Sequence, residues 1–203
     1  MHAVLPGFLT ADEFYSIAGR KEARFELVRG EVRPMSPASG KHGVVGANLL
    51  DRLSPYVRAH RLGRALPDNV GYLLPLPAAL QRRGPDDEAR DTVRSPDVSF
   101  VRREQIPPRG FGDGWVPLAP DLAVEVLSPG ETTSETNEKL GDYQAAGTPL
   151  LWVVDPRTRL VAVYAAERPT RWFRAGDTLD GGDVIPGFTI AVDELFEDVA
   201  AEG

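Results

Sequence analysis

Apolar positions along the chain follow two periods, and the switch between them lays out alternating helices and strands. Val45, Leu49, Leu53 and Val57 recur at helical spacing between about Lys41 and His60, which places them on one helix face. Gly63 supplies a stop. Pro55 is expected to kink this helix or break its last turn, because proline has no N–H to donate. Thr10-Ala11-Asp12-Glu13 has the form of a capping box opening a short helix to about Ala18, and Thr132-Thr133-Ser134-Glu135 opens another that ends at Gly147. Alternation from Phe25 to Met35 around Arg29-Gly30 predicts a hairpin. Strands are expected near Val70 to Leu74, across Val93 to Val101, and in the apolar runs Leu122 to Leu127 and Leu150 to Val154. A second hairpin spans Leu160 to Ala166 and Arg171 to Arg174, and a short helix covers Val192 to Val199. Two long stretches, Pro75 to Asp91 and Arg102 to Pro120, are rich in proline, glycine and charge and read as loops. Nothing repeats and no compositional break divides the chain, so residues 1–203 read as a single α/β domain with a sheet of mixed direction.

Composition narrows the chemistry. The 203 residues contain no cysteine, which excludes disulfides, thiolate metal sites and cysteine nucleophiles. No run approaches the ~20 apolar residues of a membrane span, and Met1 to Thr10 lacks the pattern of a secretory signal, so the cytoplasm is the expected location. The formal charge of −7 argues against a protein that coats nucleic acid indiscriminately. The charge is uneven: residues 1–64 carry ten basic against six acidic side chains, and the remainder is strongly acidic. Twenty of the basic residues are Arg and three are Lys (Lys21, Lys41 and Lys139), so a retained Lys is a candidate for work that needs a compact ammonium.

Two carboxylates stand out against this pattern. Asp97 follows Pro96 within the expected strand Val93 to Val101, and Glu125 interrupts the apolar run Leu122 to Leu127. A carboxylate inside an apolar strand is costly unless it is paired or holds a cation. Alternation puts Asp97 on the face of Ser99 and Val101, and Glu125 on the face of Ala123 and Leu127. Two such groups on neighbouring strands, pointing the same way, would favour a divalent metal between them. Lys139 lies on the helix that leaves the second strand, with Tyr143 one turn further along the same face. Other readings remain open at this point: Asp97 as an exposed strand-end residue, Glu125 as half of a buried ion pair with an Arg. Asp121 and Asp155 border strands and read as structural.

Pro96-Asp97 followed by Glu125-Val126-Leu127 resembles the PD-(D/E)xK signature of the restriction-endonuclease-like superfamily. Further segments extend the likeness: Phe25 to Glu31, Ser95 to Val101, Pro120 to Pro129, Lys139 with Tyr143, and Trp152 to Pro156. In this order, over roughly residues 10–165, they are similar to the Uma family of restriction-endonuclease-like proteins, a large bacterial family of unknown biological role. One departure from the superfamily signature is plain. Leu127 stands where the nuclease lysine would sit, two residues after Glu125, and the family pattern implies that Lys139 takes over its role.

The resemblance implies a restriction-endonuclease-like fold, a central mixed sheet flanked by helices, and metal-assisted hydrolysis of DNA phosphodiester bonds. Asp97, Glu125 and the backbone carbonyl of Val126 would hold Mg²⁺ or Mn²⁺ through hard oxygen donors. Lys139 would orient or help deprotonate the attacking water and steady charge on the phosphate. Glu26 is the additional acid the family pattern places near the site, as a ligand to a second metal or as a support, against the alternative of an exposed residue paired with an Arg. His42, beside Lys41 at a helix start, is a candidate substrate contact, as is Tyr143. Arg58, Arg61, Arg64 and His60 form a basic helix end, better read as complementing the helix dipole than as tracking phosphates. Duplex cleavage by one site per chain makes a homodimer natural. The rival functions are a non-catalytic binding or assembly domain on the same fold, and a hydrolase of a small phosphorylated molecule.

Overall fold

The computed structural model describes residues 8–18 and 24–200. In chain order its elements begin with α1 (Ala11–Ala18), the hairpin strands β1 (Phe25–Val28) and β2 (Glu31–Pro34), and α2 (Gly40–Ala59). There follow β3 (Gly63–Pro67), β4 (Tyr72–Leu73), β5 (Val93–Arg94), β6 (Val98–Arg102) and β7 (Leu122–Val126). The remainder is α3 (Thr133–Ala145), β8 (Leu150–Asp155), β9 (Leu160–Ala165), β10 (Arg171–Phe173), β11 (Thr178–Asp180), β12 (Thr189–Ala191) and α4 (Val192–Leu195). A six-stranded sheet runs in the order β10-β9-β8-β7-β6-β3, and a four-stranded sheet in the order β2-β1-β5-β4. All pairs in both are antiparallel except β7 with β8, whose crossover is α3, so the sheet is mixed.

Strand β7 is buried at every position, which explains why its sequence reads as a nearly continuous apolar run. Its two faces feed two cores. Leu122, Val124 and Val126 pack with Val98, Phe100 and Trp152 and with the α2 stripe Val45, Leu49, Leu53 and Val57. Ala123 faces the other way, with Val101, Leu151 and Val153 and with Leu140 and Tyr143 of α3. The two helices therefore cover opposite faces of one sheet, and Glu125 lies on the α3 side. Truncating a fully buried member such as Leu53 to Ala would cost ~2–5 kcal/mol.

Several expectations are corrected. The strand foreseen across Val93 to Val101 is two strands: β5 pairs in the smaller sheet and β6 in the larger, with Ser95-Pro96-Asp97 between them. Pro96 cannot donate to a ladder, so the chain changes sheets there. Asp97 thus sits at the seam between sheets and not within a strand. Strand β3 was absent from the sequence reading because its residues carry no clear alternation; it is an outer strand of the large sheet. Gly63 does not stop α2, which ends at the cap His60 with Arg61 at φ +56°. Instead Gly63 starts β3, where an added Cβ would lie 2.1 Å from the Val101 carbonyl oxygen. The last turn of α2 also forms beyond Pro55. The Arg29-Gly30 hairpin, both capping boxes and the β9–β10 hairpin are as the sequence predicts; Arg29 and Gly30 both have positive φ, as a tight hairpin turn requires.

Candidate active site

The sheet seam opens into a cleft whose walls come from β1, the start of α2, the β5–β6 junction, the end of β7 and the first half of α3. Asp97 and Glu125 both line it and are almost completely buried. Asp97 Oδ2 accepts a hydrogen bond from the Val126 N–H at 2.7 Å and lies 3.1 Å from His42 Nε2. The backbone N–H of Asp97 donates to the Val124 carbonyl at 3.0 Å, which fixes the junction against β7.

Glu125 is held by α3. Lys139 Nζ donates to Oε2 at 3.2 Å and the Tyr143 hydroxyl donates to Oε1 at 2.9 Å. The pairing follows from helix geometry, because residues four apart lie one above the other on the same face. The helix is aimed by its N-terminal capping box, in which Thr132 Oγ1 accepts from the Glu135 N–H and the Glu135 carboxylate accepts from the Thr132 N–H. Lys139 also reaches Glu131 Oε1 at 2.9 Å. Glu131 escaped the sequence reading; its position in the turn before α3 offered no periodic signal.

Glu26 enters from β1 with both oxygens engaged: Oε1 accepts from the Ser95 N–H at 3.0 Å and Oε2 from Arg94 Nη1 at 2.8 Å. It is buried, not exposed, although its partner is an Arg. Arg94, also buried, turns its other nitrogens on Asp142 Oδ2 at 2.9 and 2.6 Å. Arg29 Nη2 meets Asp142 Oδ1 at 2.5 Å, and Arg29 and Arg33 both pair with Glu138. This network also went unforeseen. Its one sequence signal was a charged residue, Arg94, beside Val93 in a strand. The basic end of α2 stays apart from the cleft; His60 Nδ1 lies 2.9 Å from the Tyr56 carbonyl. Asp121 accepts from the Arg102 N–H and Gln105, and Asp155 from the Arg157 N–H, both structural contacts.

The electrostatics follow from burial and crowding. Burial pushes the Glu125 carboxyl up to about 7; Lys139 opposes the rise, while Asp97, Glu26 and Glu131 add to it. Burial alone would lower the Lys139 ammonium, but Glu125, Glu26 and Glu131 outweigh it and hold its pKa above the usual lysine value. The acids around it therefore favour the charged form of Lys139. For His42, burial lowers the pKa, but the hydrogen bond to Asp97 and the charge of Asp97 outweigh it and the net shift is upward. Burial and the neighbouring Glu125 raise the Tyr143 phenol well above its ordinary value, so it remains a donor.

Among the described residues no three His, Cys, Asp or Glu side chains stand as a ready-made cation cage. The donor chemistry nevertheless fits a hard divalent ion. Asp97 and Glu125 are oxygen donors buried together, with too little positive charge around them to keep Glu125 readily ionised. Residues of an extended strand direct their N–H and C=O to the same side, so the Val126 carbonyl faces the side on which its N–H meets Asp97.

A mixed sheet with helices on both faces and a carboxylate-lined cleft at its seam defines the fold as mixed α/β. A solved structure described as a putative nuclease belonging to DUF820, from Anabaena variabilis ATCC 29413, shares it with a TM-score of 0.76 and 21% sequence identity, over 93% of this chain and 98% of that one. The chain belongs to the Uma2 family, described as "Putative restriction endonuclease", whose model matches residues 11–193. No curated protein matches it. No helix among the described residues is long and apolar enough to cross a membrane.

Proposed function

We propose that the cleft is the active site of a metal-dependent endonuclease that hydrolyses DNA phosphodiester bonds. One observation carries this reading: Lys139, although displaced from the usual sequence position to a separate helix, brings its ammonium to 3.2 Å from Glu125 in the cleft that also holds Asp97. Asp97, Glu125 and the Val126 carbonyl would hold Mg²⁺ or Mn²⁺, which when bound supplies charge neutralisation and an acidified water. Tyr143 fixes one oxygen of Glu125, and the N–H of Val126 fixes Asp97. Lys139 orients or helps deprotonate the attacking water and offsets charge growing on the phosphate. Arg24 and Arg33 line the cleft where a phosphate would enter, and Arg24 Nη2 has no hydrogen-bond partner among the described residues. His42, beside Asp97, is placed to contact the substrate or its water. The proposed enzyme acts in the cytoplasm, and a homodimer would present one cleft to each strand of a duplex.

The test is nicking of supercoiled plasmid with Mn²⁺ or Mg²⁺ by wild type, Asp97→Ala and Lys139→Ala. Metal-dependent nicking lost in both variants is the expected result. Cleavage that survives in Asp97→Ala would refute this assignment. Failure of the wild-type protein to cut would favour the binding-domain reading, which the engagement of both Glu125 oxygens by Lys139 and Tyr143 supports.

A further inference from the structure

We infer that the groove leading from the cleft to Trp172 binds an unpaired nucleobase of the substrate strand, stacked on the indole. The inference rests on the nuclease reading for the identity of the strand, and adds the form in which that strand is taken.

The groove begins where the cleft ends, since Ser128 and Glu131 line both. Its floor is the α3 face of the large sheet. Glu125 pairs in register with Val153, Val153 with Ala162, and Ala162 with Trp172. Residues opposite one another on neighbouring strands share a face, so one row of side chains leads from the cleft carboxylate to the indole. Neighbouring strands lie ~4.8 Å apart, which makes the row about 14 Å long, a reach of a few nucleotides. Val153 and Ala162, in the middle of the row, are short. They leave a trough of about 410 Å³, the size of a small-molecule site.

Trp172 is the most exposed large apolar side chain among the described residues, at 65%. No ring or guanidinium among those residues rests on it. Packing of the core therefore does not account for an indole on this edge strand. Tyr164, two residues beyond Ala162 on β9, is its diagonal neighbour at ~7–8 Å, and both line the groove. Two aromatic side chains so placed frame a slot for one planar ring.

The charges favour a base over a phosphate. Glu131 is paired with Lys139 at 2.9 Å and Asp155 with Arg157 at 3.5 Å, so the groove offers an anion no surplus positive charge. Its α3 wall carries Thr133 and Asn137, whose hydroxyl and amide can meet the edge of a base. A protein partner fits less well. A stable interface buries ~800 Å² per partner, whereas Trp172 is the one exposed large apolar side chain bordering the groove among the described residues. A base inside a duplex is stacked on its neighbours and out of reach, so the groove selects strands that are unpaired beside the cut.

The experiment presents a single-stranded DNA oligonucleotide, and the duplex of the same sequence, to wild type, Trp172→Ala and Trp172→Phe, each checked for an unchanged melting temperature. Binding is measured with divalent ions chelated, and cleavage with Mn²⁺. Trp152 is fully buried and Trp115 half-buried, so quenching of tryptophan emission reports chiefly on Trp172. The single strand is expected to quench wild type and to be cut faster than the duplex. Trp172→Ala is expected to weaken single-strand binding about 5- to 150-fold, the usual loss of one stacking side chain, and to abolish the preference. Trp172→Phe keeps a ring and should restore most of the affinity. Equal single-strand binding by Trp172→Ala and wild type, no binding by any protein, or a duplex cut as fast as the single strand would overturn the inference; cleavage by wild type would still uphold the nuclease reading. Trp172→Ala that binds like wild type but loses a dimer in sedimentation would give this face to a second copy, and would also overturn it. Trp172-dependent binding without cleavage would refute the nuclease reading and leave the groove as the base site of a binding domain.

Discussion

At the scale of single residues, both oxygens of Glu125 and both of Glu26 meet a particular donor, while Asp97 is held through Oδ2. Tyr143→Phe removes the donor to Glu125 Oε1 at a fully buried position. It is expected to cost ~1–3 kcal/mol, the penalty for a buried acceptor left without a partner, measurable by urea unfolding. Lys139 contributes charge and position. Lys139→Ala is expected to retain Mn²⁺ binding and lose nicking by ~10²–10³-fold, the typical loss of one donor to a charge that develops in the transition state. Lys139→Arg should not restore it, because a planar fork cannot replace a compact ammonium between Glu125 and Glu131. Equal cleavage by Lys139→Ala and wild type would remove this lysine from the chemistry. Strand alternation anticipated that Asp97 and Glu125 point the same way, and helix spacing that Lys139 and Tyr143 share a face; that Lys139 joins the carboxylates was what the family likeness implied. Glu131 and Arg94 were not anticipated, since their roles depend on neighbours far away in sequence.

At the scale of elements, the N-terminus of α3 sets where Lys139 points. Thr132→Ala removes half of the capping box and is expected to destabilise by ~0.5–2 kcal/mol. The Glu135 half should show in the pH dependence. Backbone and side-chain hydrogen bonds from Thr132 hold the Glu135 carboxyl below its ordinary 4.5. A folded-state pKa lower than the unfolded one contributes stability that is complete above the unfolded value and is lost as pH falls through the folded one. Glu135→Gln should therefore flatten the acid limb of stability below about pH 4.5, read from melting temperature against pH. An unchanged acid limb would argue that the cap contributes nothing. Gly63 marks the other end of the sheet. Gly63→Ala would drive a methyl to 2.1 Å from the Val101 carbonyl at φ +154°, so β3 must separate from β6 and the melting temperature should fall clearly. Helices and hairpins were legible because capping boxes, turns and periodicity are written within a few residues. Strand β3 was not, because an outer strand needs no strong apolar alternation to be held by its neighbour.

For the whole molecule, the decisive feature is the joining of two sheets at Ser95-Pro96-Asp97, tied by an ion network that spans β1, β5 and α3. Arg94→Ala leaves Glu26 without its ionic partner and Asp142 with Arg29 alone. A loss of ~3–5 kcal/mol is expected on denaturant unfolding, since breaking a buried pair strands its other half. If phosphates of DNA are the substrate, nicking should weaken steeply as salt rises. Rates indifferent to salt would favour a small phosphorylated substrate.

The sequence by itself determined the mixed α/β class, the family likeness, the helix caps, the first hairpin and the two carboxylates and lysine that meet in the cleft. Each of these is carried by short-range spacing or by a charge placed in an apolar run. Only the tertiary structure decided that Pro96 divides one apparent strand between two sheets. It alone showed that Glu26 is buried yet already neutralised by Arg94, and that Glu131 shares Lys139 with Glu125. The physical reason is that the partner of a buried charge is chosen by the folded chain: Arg94 lies 68 positions from Glu26 and 48 from Asp142, distances at which sequence spacing carries no contact information.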